Sequence, residues 1–181
     1  MVCKEEVCGW FKDLSGAERI ELFCSLLHMC VPIELRFIGS CLEDLARKDF
    51  IYLRDAEIKA NDIAEIKKLT PDFTDEGTRS RTSFYLALLY SSNNACSHAM
   101  FELLSCLEPS LRGESAPCMD PVDSAFAEDV ILILTMAANH PAFTFSQRQQ
   151  LYKDLKTVEK LLQELSGKVS KDASCNFLVL T

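Results

Sequence analysis

Glycine and proline are scarce, at six each in 181 residues. So few chain-reversal residues cannot serve the many tight turns of a β-sandwich or barrel, and no stretch alternates apolar and polar residues as a half-buried strand would. No apolar run approaches the roughly 20 residues needed to cross a bilayer; the longest, residues 130–134 with their flanks, is far too short. The opening Met1-Val2-Cys3-Lys4-Glu5-Glu6 lacks the apolar centre of a signal peptide. Histidine is limited to His28, His98 and His140. None lies in a Gly-x-Ser-x-Gly or cysteine-protease context, and phosphate loops and dinucleotide fingerprints are missing. The acidic pair Glu43-Asp44 does not converge as catalytic carboxylates do, because helix neighbours point about 100° apart. The expectation is a chain that is not an enzyme.

Positive charge is also in deficit. The formal net charge is −8, which keeps a domain soluble and opposes a broad embrace of nucleic acid. Nine cysteines are present, an odd number, mostly inside helical patterns (Cys24, Cys30, Cys41, Cys96, Cys106). That usage reads as small apolar residues in a reducing compartment, with no disulfide framework. Cys24 and His28 share a helical face with Cys30 nearby, but no closely spaced set supplies the ligands of a closed zinc site. No metal and no cofactor is expected.

What is present is helical periodicity within 48% apolar residues. Val7, Trp10, Phe11 and Leu14 mark a short first helix. Ser15-Gly16-Ala17-Glu18 is a capping box that opens a helix through Ile20, Phe23, Leu27 and Cys30. Pro32 suits the first turn of a third helix, whose Leu35, Ile38, Leu42 and Leu45 form an apolar stripe. Phe50, Leu53, Glu57 and Ile58 form a fourth helix, ending near Asn61. With almost no loop between these two, residues 31–61 read as the centre of the fold. Thr74 or Asp75 caps a helix to about Tyr90, expected to be buried from Phe84 to Leu89. Another runs to about Leu107. Residues 108–122, rich in Pro and Gly, read as a mobile surface loop. Phe126, Val130, Ile133, Leu134 and Ala137 predict a second buried rod, stopped at Asn139-His140-Pro141. Ser146 is the expected cap of a last helix, with Leu151, Leu155, Val158, Leu162 and Leu165 as its seam and Gly167 as its C′ residue. The expected architecture is all-α: a single compact domain over residues 1–166, a helical-repeat-like stack of antiparallel helix pairs, with a flexible tail over 167–181.

Two runs carry a resemblance. Glu34-Leu35-Arg36-Phe37-Ile38-Gly39-Ser40-Cys41-Leu42-Glu43-Asp44-Leu45-Ala46-Arg47-Lys48-Asp49 and Thr135-Met136-Ala137-Ala138-Asn139-His140-Pro141-Ala142-Phe143-Thr144-Phe145-Ser146-Gln147-Arg148 resemble the N-terminal domain of the zinc finger CCHC domain-containing protein 14 and protein 2 family, Smaug-related RNA regulators. The likeness extends over roughly residues 7–165. It implies an all-α adaptor domain that docks a segment of a noncanonical poly(A) polymerase, a terminal nucleotidyltransferase, onto RNA complexes, and that can form a homodimer. It also implies that the family's zinc knuckle and RNA-reading domain lie elsewhere, with RNA reached indirectly through those domains. A cytoplasmic location, with the nucleus as a second one, follows from the same implied role, and no membrane partner does.

Trp10 and Phe11 are adjacent on a short charged helix and cannot both face one core. One reading makes them an interface anchor, with Val7, Leu14, Phe23 and Leu27 completing a docking strip; the other makes them a staple on the capping box that follows. The rival site is a basic face of Arg36, Arg47, Lys48, Arg54, Lys67, Lys68, Arg79 and Arg81, with Lys59 among them, for direct RNA binding by the stretch 47–81. Interleaved acids, such as Glu43 beside Arg47 and Asp44 beside Lys48, favour a solvated face with i,i+4 pairs instead.

Overall fold

A computed structural model describes residues 3–112 and 124–175, with side chains at 112 and beyond 164 excepted. Among the described residues every regular element is a helix: α1 (Lys4–Asp13), α2 (Gly16–Met29), α3 (Pro32–Ala46), α4 (Phe50–Ala60), α5 (Ile63–Ile66), α6 (Glu76–Leu88), α7 (Asn94–Leu104), α8 (Leu107–Arg112), α9 (Ser124–Asn139) and α10 (Phe145–Cys175).

Local chemistry sets most of the starts. The Ser15 hydroxyl accepts from the Glu18 N–H at 3.3 Å while the Ser15 N–H donates to the Glu18 carboxylate at 2.7 Å, satisfying two amides that a helix start otherwise leaves unpaired. Pro32 occupies the first turn of α3, and the Val31 N–H donates to Glu34 at 2.9 Å. Asp75 accepts from the Thr78 N–H at 2.7 Å, and Asn93 from the Cys96 N–H at 3.1 Å. At α10 the cap is Thr144 rather than the expected Ser146. The Gln147 N–H donates to Thr144 Oγ1, and the Thr144 N–H donates to Gln147 Oε1 at 2.9 Å.

The core forms around α9. This helix packs against α10, α6 and α2, while α4 packs on α6 and α5, α5 on α7, and α8 on α10. Val130, Ile133, Leu134 and Ala137 are completely buried, as the expected rod requires. The α10 seam of Leu151, Leu155, Val158 and Leu162 lies buried against it. Ile133→Ala is therefore expected to destabilise by roughly 2–5 kcal/mol, the range for emptying a fully buried aliphatic site. Leu88 is only half-buried at the edge of the core, so Leu88→Ala should cost about 1–2 kcal/mol. Urea titrations of the two variants check the order.

Several expectations are corrected. Residues 31–61 are not the centre: Leu35, Leu42, Leu45 and Ile58 are exposed, because a stripe of this kind asks for a cover without saying which element supplies it. The rod at Phe84–Leu89 buries Tyr85, Leu86 and Leu89 but leaves Phe84 at the surface; α6 has one covered side, not all of them. Residues 107–112 form α8 where a loop was expected, since Pro109 sits in its first turn, where a missing N–H costs nothing. The rest of that predicted loop, 113–122, lies outside the described residues. Gly167 does not end α10, which continues to Cys175; a glycine inside a helix costs only about 1 kcal/mol. The tail expected from 167 is thus helical as far as it is described.

Candidate docking surface

Two helices stand outside the set of pairings that builds the core, α1 and α3. α2 joins them to it. Its first turn lies on α9, where Ala17 is buried and a Cβ added to Gly16 would sit 3.4 Å from a Leu132 methyl. α1 then leans on α2 through an edge-to-face contact of Phe11 and Phe23, ring centroids 5.5 Å apart. Phe11 is half-buried by this contact, whereas Trp10 on the same turn is 52% exposed. The two aromatics divide the roles: Phe11 packs, and Trp10 faces out beside exposed Val7 and Phe23, with Leu14 and Leu27 half-buried between them.

The larger apolar surface is on α3 and its flanks. Met29, Val31, Ile33, Leu35, Phe37, Leu42, Leu45, Phe50, Ile51 and Tyr52 are all exposed, with Ile33 at 76% and Phe37 at 71%. They form two stripes, Leu35–Ile38–Leu42–Leu45 and Ile33–Phe37–Cys41. A concavity of about 450 Å³ is lined by Cys30, Ile33, Glu34, Phe37 and Ile38. At about 150–250 Å² for a large side chain, the whole surface leaves on the order of 1,000 Å² of apolar area in water, shared between the two stripes of α3 and its flanks. Sequence reading found the first stripe and assigned it to the core; it missed Ile33, Phe37, Ile51 and Tyr52. Their signal was available, because a helix that is apolar on two sides needs more cover than one neighbour gives.

The rival basic face keeps its cations at the surface except one. Arg36, Arg47, Lys48, Arg54, Lys59, Lys67, Lys68 and Arg81 are exposed, but Arg47 pairs with Glu43 at 3.4 Å and Lys68 with Glu65. Arg79 is not on that face. It is 6% exposed, its Nε donates to Asp129 at 3.0 Å, its Nη1 donates to the Phe73 and Thr74 carbonyls, and its guanidinium lies 4.8 Å from the centre of the Phe126 ring. The cation closes the α5–α6 connection onto α9 and is spent within the fold.

Comparison with known families follows the same division of the molecule. Residues 53–163, more than half of the chain, match the model of the SMAUG-like PHAT domain. The chain belongs to the SMAUG-like PHAT domain family. The PHAT segment begins inside α4 and contains α9 and the helices of the main core, while α1–α3 fall outside it. Residues 4–48 match a different model, that of an RNA-binding protein vts1-like domain, and this segment carries both Trp10 and the exposed α3. The Smaug-related assignment made from residues 34–49 and 135–148 thus stands at the level of the wider family.

Among the described residues no group of three or more His, Cys, Asp or Glu side chains could hold a metal ion, and no helix is long and apolar enough to cross a membrane. His140 ends α9 of the PHAT segment. Its Nδ1 accepts from the Ala142 N–H at 3.1 Å, and its ring lies edge-on to Phe143. Burial holds its pKa below the usual histidine value of 6.5. The unfolded chain therefore takes up a proton near pH 6.5 that the folded one resists. Stability from this group is complete above that pH and declines as pH falls below it. His140→Asn keeps an acceptor near the Ala142 N–H without titrating, so its melting temperature should fall less between pH 7.5 and 5.5 than that of the native chain, as read by circular dichroism.

Proposed function

We propose that this chain is a non-enzymatic protein–protein docking module of a Smaug-like RNA regulator, working through the exposed apolar surface of α1–α3. The observation that carries the reading is α3: a capped helix with two apolar stripes that, among the described residues, remain largely exposed. The two sides together expose on the order of 1,000 Å², so one stripe with its flanks lies at the low end of the roughly 800 Å² per partner of a stable interface. Such a stripe supports a homodimer, with α3 of one protomer on α3 of the other. Trp10, Val7 and Phe23 then remain as a separate strip for a partner segment. The likeness of residues 34–49 and 135–148 to the zinc finger CCHC domain-containing protein 14 and protein 2 family supports a noncanonical poly(A) polymerase as that partner, in the cytoplasm or nucleus.

Pull-down of the polymerase tests this directly. Trp10→Ala should abolish capture with a change in melting temperature of only a few degrees, because Trp10 is half in solvent and exposed positions contribute little to stability. Phe11→Asp should also abolish capture but lower the melting temperature more, since it breaks the contact with Phe23. Capture by Trp10→Ala at the native level would move the docking strip elsewhere.

A second reading is direct RNA binding, favoured by the match of residues 4–48 to an RNA-binding protein vts1-like domain and by the exposed Arg36, Arg47, Lys48 and Arg54. Salt separates the two. Phosphate-driven binding loses affinity steeply between about 50 and 200 mM salt, whereas an apolar contact hardly changes. Nuclease treatment before the pull-down provides the second discriminant.

A further inference from the structure

A different concave surface lies over the first turns of α10, lined by none of the residues of α1–α3. Ala138, Phe145, Arg148, Gln149, Tyr152 and Lys153 enclose about 530 Å³. On the other flank of Gln149 and Lys153, a second concavity of about 300 Å³ reaches Phe101 and Gln150. Three features set this place apart. First, Phe145 is 69% and Tyr152 50% exposed, two aromatic side chains about two turns apart on one side of α10, with small Ala138 among the lining residues. Second, in a chain of net charge −8, residues 130–153 contain no Asp or Glu at all. Third, its cations are not used internally: among the described residues neither Arg148 nor Lys153 has an ion-pair partner, and Arg148 Nε is buried without a hydrogen-bond partner. An unpaired buried donor is a cost to the fold, and an acceptor brought to this guanidinium offsets it.

We propose that this groove is a second docking site, for a short acidic peptide segment of a partner protein. A carboxylate of the peptide meets Arg148 and Lys153, and an adjacent apolar side chain enters between Phe145 and Tyr152. The charge-assisted contact gives direction, the aromatic walls give area, and the Gln149 amide offers a donor and an acceptor to the peptide backbone. An RNA strand fits less well. It would need several phosphates met in a row, and the groove has two cations followed at once by Asp154.

The test is selection from a random peptide library displayed on phage against the full chain, then titration of the selected peptide by fluorescence polarisation. The expected result is enrichment of sequences with Asp or Glu next to an aromatic or leucine side chain. Binding should weaken by tenfold or more, in the range for removing one partner of a desolvated charge pair, in Arg148→Gln and in Lys153→Glu. Lys153 is exposed, so its variant keeps the fold even where the Arg148 variant does not. Lys160→Ala, at an exposed position farther along α10 outside both surfaces, should leave the affinity unchanged. The proposal is overturned by selection of peptides without acids, by native affinity in Lys153→Glu, or by an oligo-uridine RNA that displaces the peptide and binds more tightly than it does.

Discussion

Replacing Arg79 by alanine is expected to destabilise the protein by about 3–5 kcal/mol, the range for breaking a buried, hydrogen-bonded ion pair. The side chain is 7% exposed while its partner Asp129 is 42% exposed, so the Asp129 end of the pair is screened and contributes the smaller share. Most of the loss comes from the Phe73 and Thr74 carbonyls, which lose their donor, and from the ring of Phe126, which loses the cation stacked on it. Arg79→Lys should recover little, because an ammonium cannot reach two carbonyls and a carboxylate in the fixed fork of a guanidinium. Asp129→Asn should cost clearly less than Arg79→Ala, since it leaves both carbonyl contacts in place. Urea unfolding of the three variants, read at constant slope, decides it; equal losses in Arg79→Ala and Asp129→Asn would mean that the ion pair, not the carbonyl contacts, carries the energy.

The second large effect concerns assembly. Ile33→Asp and Phe37→Asp place a carboxylate at the centre of the α3 surface, each at a position more than two-thirds exposed. Neither should move the melting temperature of the monomer by more than a degree or two, because neither residue touches the core. Both should convert the proposed dimer to a monomer in light scattering, with a loss of at least about 100-fold in self-affinity, as for charging a desolvated hot spot. The pair Leu35→Asp and Leu42→Asp tests the other stripe; whichever stripe is silent faces solvent in the dimer. If the native chain is monomeric at high concentration and α3 variants bind partner normally, α3 is not an interface. A variant that unfolds would instead show α3 folded back on its own chain in solution.

The sequence by itself determined the all-α class and most of the helix boundaries, because those depend on near neighbours. Ser15 with Glu18, Pro32, Asp75 and the stop at Asn139-His140-Pro141 act within a few residues of themselves, and the cap bonds of Ser15, Glu18 and Asp75 appear as read. The buried rod through Val130, Ile133 and Leu134 and the seam of α10 were legible for the same reason, being long and strongly periodic. The cap of α10 was missed by two residues because Thr144 and Ser146 are both good caps and only the Gln147 contact chooses between them. Which apolar stripe is covered, and by what, was a matter for the tertiary structure alone. Leu35, Leu42 and Leu45 lie along one side of their helix, as Leu151, Leu155 and Leu162 do, all at intervals of three, four or seven residues. One set lies against α9 and the other faces water, since periodicity states that a helix has an apolar side and says nothing of where the covering element comes from. The same holds for charge: Arg79 and Arg81 look alike in a row of basic residues, and only the approach of Asp129 and Phe126, some fifty residues away along the chain, takes Arg79 into the interior and leaves Arg81 at the surface.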